Sequence, residues 1–404
     1  MGFLESIGDE AEELWGDGKG PLLVTIAGGW GVLLGTRMVY PVLLPYLRES
    51  FDLSLTVAGL LVTVLWLGSA LGQLPGGVLA DRYSERAVMT AGTVVVALAL
   101  VAVVTAQTPL VLFAATALVG LGQSLYPIAR ITILSDIYPG RIGSALGVTM
   151  ATGDLGQTVL PPIAGALAAA VAWQLGLGFI IPLLLAVGAV LWVVLPAQTP
   201  TASAVDSLSA DSARYVIAEL RRSNLLFVAF ILFLYILIWQ SFTGFYPTYL
   251  VEVKGLPSSV AGVLFSVFFA FGVVVKPLAG AAYDRIGMRR ALVAVLVGPV
   301  VGLASLPFIE GRWPLVAVTA LVSTMLGSGA ITQSFLSDAI PDEIQGTGLG
   351  AVRTASATLG AAGPVLFGSI ADRGYFDEGY LLLAAILVVV IVLTLRLPER
   401  ASKG

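Results

Sequence analysis

The chain has 404 residues, 57% of them hydrophobic and 11% charged, with a mean hydropathy of +0.95. A water-soluble domain carries about 25% charged residues to solvate its surface, so most of this surface has to face lipid. The lack of Cys and His excludes disulfides, thiolate metal sites and imidazole relays, and a net charge of −4 argues against nucleic acid.

A span needs about 20 apolar residues. Apolar stretches fall at 20–47, 55–80, 87–106, 109–137, 142–169, 174–196, 224–251, 258–282, 289–309, 313–338, 345–371 and 377–397. They predict an all-α membrane protein of twelve transmembrane helices. Residues 1–19 read as a cytoplasmic tail, acidic through Glu5, Asp9, Glu10, Glu12, Glu13 and Asp17, with no cleavable signal peptide expected. Phe3, Leu4, Ile7, Ala11, Leu14 and Trp15 recur there at helical spacing, which suits a helix on the membrane surface or a loosely attached tail. Residues 197–223, rich in Ser, Thr and Ala and then charged, read as a linker, and 398–404 as a C-terminal tail.

The linker divides two similar halves, 20–196 and 224–397. At an offset of 203 residues, Tyr46-Leu47 matches Tyr249-Leu250, Val57-Ala58-Gly59 matches Val260-Ala261-Gly262, and Asp81-Arg82 matches Asp284-Arg285. At 202, Leu134-Ser135-Asp136 matches Leu336-Ser337-Asp338. Two parallel six-helix bundles, related by an axis along the membrane normal, are one transporter architecture. With the N-terminus inside, 13 basic residues fall on cytoplasmic segments and 4 on external loops, which places both termini and the linker in the cytoplasm.

The loop after the second span carries Gly77, Asp81, Arg82 and Arg86; its partner after the eighth carries Gly280, Asp284, Arg285, Gly287, Arg289 and Arg290. Glycine lets helices approach closely. An Asp at a helix end accepts bonds from a neighbouring helix N-terminus and pairs with Arg. Such a contact would latch the cytoplasmic side in one state. These doubled loops resemble the signature loop of the major facilitator superfamily, with Ser84 and Glu85 where Gly and Arg are usual. The resemblance spans about 20–397 and implies that superfamily's fold and secondary active transport by alternating access. It also bears on the fifth span, where a Gly-Pro motif accompanies antiport in the family. Here that span has Pro161-Pro162, and Gly363-Pro364 lies in the eleventh, so close packing is the preferred reading of these glycines.

Charges within spans are costly and mark function. Five are present: Arg37, Arg130, Asp154, Lys276 and Arg353. None has a charged counterpart in the other half. Two Arg facing one cavity would clamp a carboxylate or phosphate bidentately. The setting of Arg37 and of Arg130 after Tyr126-Pro127 is similar to the organic anion:cation symporter branch, which implies an anionic substrate held by these two. Arg130 has an alternative, a structural pair with Asp136 or Asp154. Asp154, the one carboxylate deep in a span, is either a proton-coupling switch beside Arg130 or its permanent partner. Tyr40, Gln123, Tyr126, Gln157, Trp239, Gln240, Tyr246 and Gln333 complete the candidate substrate site; Tyr46 and Tyr249 read as interface anchors.

The expected function is therefore secondary active transport of a small solute, an organic anion first, across the cytoplasmic membrane, with H+ or Na+ as coupling ion. The protein is expected to be a monomer that needs no cofactor or metal, and no nucleotide-binding loop is present. Proton-driven efflux of amphipathic compounds is the alternative within transport. An intramembrane aspartyl hydrolase built on Asp154 and Asp284 is the reading from another class, disfavoured because Asp284 belongs to the repeated loop.

Overall fold

The computed structural model describes residues 14–196, 225–339 and 345–396. The segment Phe3–Ala11, the linker and the C-terminal tail lie outside the described residues, and of Gly77 and Asp81 only the backbone is described. All regular structure among the described residues is helical. Among the described residues nine helices are long and apolar enough to cross a membrane. One of them, Ser258–Phe308, is two spans parted at Gly287, and helices in 55–83 and 142–170 complete the twelve.

The spans are numbered α1 to α12. In the N half they are α1 (Gly20–Phe51), α2 (Leu55–Leu71, then Gln73–Tyr83), α3 (Glu85–Val104), α4 (Pro109–Ser124, then Tyr126–Ile137), α5 (Ile142–Ala170) and α6 (Trp173–Gly178, then Ile180–Val194). In the C half, α7 is Leu225–Glu252, and Ser258–Ser305 holds α8 and α9. There follow α10 (Arg312–Ser323, then Gly327–Ala339), α11 (Gln345–Gly360, then Gly363–Ala371) and α12 (Phe376–Thr394).

Local chemistry sets these boundaries. Ser54, Ser84 and Thr108 cap α2, α3 and α4, their hydroxyls accepting from the amides of Val57, Ala87 and Val111. The two repeated loops turn at equivalent positions: Gly287 has φ 77° and Ser84, 203 residues earlier, φ 154°. Glycine takes positive φ without a Cβ clash, so the N-half loop carries strain that the C-half loop avoids.

Small residues set the tightest pairing in the N half. Gly156 on α5 meets the Gly31 carbonyl on α1 so closely that a Cβ has no room. The glycines of the fifth span therefore work as packing surface here. The C half is bound by rings instead. Phe242, Phe245, Tyr246 and Tyr249 on α7 stack and interlock with Phe367 on α11 and with Phe376 and Tyr380 on α12. Tyr249 is fully buried, with its hydroxyl donating to Asp377 Oδ1 at 2.5 Å, so it is core rather than an interface anchor.

The halves meet at the face opposite the termini. Arg48 at the end of α1 pairs with Glu252 at the end of α7. Asp372, just beyond α11, accepts from the backbone amides of Leu55 and Thr56 at 2.6 and 2.8 Å, and so caps α2 from the other half. Burial alone would raise the Asp372 carboxyl. The bonds from the Thr56 hydroxyl and amide, the Ser54 hydroxyl and the Leu55 amide outweigh it, and the group sits below the usual carboxylate range. Beneath this cap, Gly59 on α2 rests on the backbone of Pro364 and Val365 on α11.

Candidate substrate site

Helices α1 and α4 run antiparallel, and each carries two functional positions seven residues apart: Trp30 and Arg37, and Gln123 and Arg130. Seven residues are about two turns, so both members of a pair point the same way, roughly 10 Å apart in depth. The result is two layers.

In the layer farther from the termini, Arg37 Nε donates to Gln123 Oε1 at 2.9 Å and Nη2 to Ser69 Oγ on α2 at 2.6 Å. Its guanidinium lies 4.6 Å above the Trp66 ring, a cation–π contact. Gln123 is oriented by its own donation to the Leu33 carbonyl at 3.1 Å. Trp66 meets Trp239 of α7 edge to face at 5.2 Å, which brings the C half to this layer. Trp239 Nε1 and the neighbouring Gln240 Oε1 are buried without a partner among the described residues.

In the second layer the Arg130 guanidinium lies 4.1 Å above Trp30, which stacks on Tyr126 at 6.2 Å. Tyr126 donates to the Ile26 carbonyl at 2.8 Å and holds the stack in place. Arg130 Nη1 donates to Thr149 Oγ1 on α5 at 2.8 Å, while its Nε is buried without a partner among the described residues. Buried donors left unmatched are rare in native folds and call for an explanation.

Asp154 is not the partner of Arg130. Its Oδ1 takes Lys276 Nζ of α8 at 2.5 Å and Gln157 Nε2 at 3.3 Å, so the carboxylate joins the two halves. Asp136, the other suggested partner, is exposed and makes no ion pair with Arg130 among the described residues. Gln333 accepts from Arg353 Nη1 at 2.9 Å. Tyr40 receives the Thr116 hydroxyl at 3.4 Å and Tyr246 pairs with Thr319, so these two tyrosines pack inside their own halves.

The gating residues divide as well. Arg86 lies 4.5 Å above Trp192 of α6 and reaches the Leu195 carbonyl at 3.4 Å, which anchors the first loop within the N half. Arg82, Asp284, Arg285 and Arg290 are exposed, and Gly280 and Arg289 are half-buried. Sequence reasoning missed Trp30, Ser69, Trp66 and Thr149. Trp30 was within reach, because it precedes Arg37 by the same seven residues that separate Gln123 from Arg130.

The profile of the Major Facilitator Superfamily matches residues 25–364. The chain belongs to that family. It is accordingly a multi-pass membrane transporter of small molecules and not an enzyme, and Asp284, exposed at a loop, is no partner for the buried Asp154. The chain is 26% identical to the hexuronate transporter of Bacillus subtilis (strain 168) over 380 residues, 89% of this chain and 90% of that one. It is 27% identical to a probable sulfoacetate transporter of Cupriavidus necator over 383 residues, 87% of each. Its fold is similar to that of a bacterial homologue of the human lysosomal transporter Spinster in an inward-facing and occupied conformation. That likeness has a TM-score of 0.75 at 14% identity and covers 93% and 95% of the two chains, and it speaks for the fold alone.

Proposed function

We propose that this transporter carries a small organic anion by alternating access, with both termini in the cytoplasm and a proton as the coupling ion. One observation carries the reading. Arg37 and Arg130 lie inside the bundle, and their partners among the described residues are all neutral: Gln123, Ser69, Thr149 and two indole rings. Burying a charge without a counter-ion costs about several kcal/mol. A ligand that brings the negative charge removes that cost when it binds. The two relatives named above are described as carriers of hexuronate and sulfoacetate, both acids, which agrees with this chemistry.

Asp154 supplies the coupling in this reading. As a carboxylate it holds Lys276 and with it the C half; once protonated it loses its charge and the tether loosens. The positive-inside bias of the loops supports this orientation.

The test is counterflow in proteoliposomes with galacturonate, sulfoacetate, glucose and ethidium. Exchange of either acid, lost in Arg37→Ala and Arg130→Ala, is the expected result. Movement of ethidium alone, driven by a pH gradient and indifferent to both substitutions, would overturn the reading in favour of efflux.

A further inference from the structure

Among the described residues, Arg353 is a third cation without an acidic partner. It belongs to a stretch that crosses the membrane, Gly348–Ala371, yet it is exposed. A guanidinium inside a span faces a watery cleft rather than hydrocarbon. Eight residues into α11, Arg353 stands roughly 12 Å from the termini-bearing end; Arg130, seven residues from the end of α4, stands roughly 10 Å from it. The two guanidiniums come from different halves at about the same depth.

The charge balance points the same way. Among the described residues, Arg37, Arg130, Lys276 and Arg353 are the cations well inside the spans, away from their ends, and Asp154 is the one carboxylate there, already engaged by Lys276. A ligand with a single negative charge leaves two of the three arginines uncompensated. Gln333 gives Arg353 a fixed direction by accepting from one Nη and leaves its other donors available. Arg130 comes from the other half, and its Nε is buried without a partner among the described residues.

We propose that Arg353, aimed by Gln333, is a second anion subsite opposite Arg130, and that the substrate is a small dianion whose acidic ends bridge the two halves. The inference rests on the anion reading above and adds a second charge and a C-half contact. Closing the termini-bearing side brings two like charges together, and an acidic group at each end of the ligand converts that repulsion into attraction.

Binding to the purified full-length protein tests it, with sulfoacetate as the two-ended probe and galacturonate and acetate as one-ended probes. Wild type is expected to bind sulfoacetate more tightly than either. Arg353→Gln is expected to weaken sulfoacetate by roughly tenfold and to leave the one-ended acids within about twofold, the loss expected of one charge-assisted bond. Gln333→Ala keeps the charge but removes its aim, and it should weaken sulfoacetate selectively even if Arg353→Gln does not fold. Equal binding of sulfoacetate by wild type and by the folded variants overturns the subsite and leaves the anion reading standing, as does tighter binding of galacturonate. Failure of every acid to bind wild type overturns both.

Discussion

Lys276 on α8 and Asp154 on α5 join the two halves inside the bundle, Nζ to Oδ1 at 2.5 Å. Their side chains are 29% and 9% exposed, so neither is fully removed from water. Losing one partner of a fully buried pair costs about 3–5 kcal/mol; partial exposure reduces this to about 1–3 kcal/mol. Lys276→Met or Asp154→Asn alone is expected to lower the Tm in detergent, and the double variant to recover much of the loss. Asp154→Asn should also abolish accumulation driven by a pH gradient while sparing counterflow. If both transport modes survive, Asp154 is a tether and not the proton carrier.

Arg37 makes two forked donations while lying flat on Trp66. A lysine ammonium is a point charge and does not reproduce that geometry. Arg37→Lys is therefore expected to raise the KM for a transported acid by roughly tenfold with charge unchanged. A KM equal to wild type in proteoliposome uptake would show that Arg37 serves only as a charge.

The cap that Asp372 makes on α2 has a definite pH dependence. Its carboxyl is held below the usual range in the capped state, so the contact contributes fully above the ordinary value of about 4. The contribution is lost as pH falls through the lowered value. The chain has no Cys, so a spin label at Val365→Cys reads this face alone. Label mobility should stay constant from neutral pH down to about 5 and rise below about 4. Asp372→Asn should raise it at every pH.

Gly59 rests on the backbone of Pro364 and Val365, where a Cβ does not fit. Gly59→Ala is expected to hold the same label mobile and to cut transport by more than tenfold, while Tm changes by only about a degree or two because α2 itself favours alanine. Wild-type transport in this variant would mean that the halves tolerate a looser closure.

The twelve helices and their duplication were legible because apolar length and repeated loop residues are properties of the chain itself. Ser84 and Gly287, at equivalent places in the two loops, share a positive φ. The site was legible in part. Charge within a span picks out Arg37, Arg130, Asp154, Lys276 and Arg353, but spacing along one helix does not say which charge on another it meets. The sequence sets Asp154 beside Arg130 of its own half, as a proton switch or as its partner, whereas the fold carries it to Lys276, 122 residues away. Tyr40 and Tyr246 carry the same hydroxyl as a ligand-binding tyrosine, and only packing reveals that Thr116 and Thr319 use it.

The ring cluster of α7, α11 and α12 has a mechanical consequence. Interlocked aromatics resist shear between the helices that carry them, so in the proposed cycle the C half swings as one stiff lever. In the N half the closest packing is the glycine seam between α1 and α5, the same two helices that present Arg37, Trp30 and Asp154. One side of the machine is built as a beam and the other as a grip.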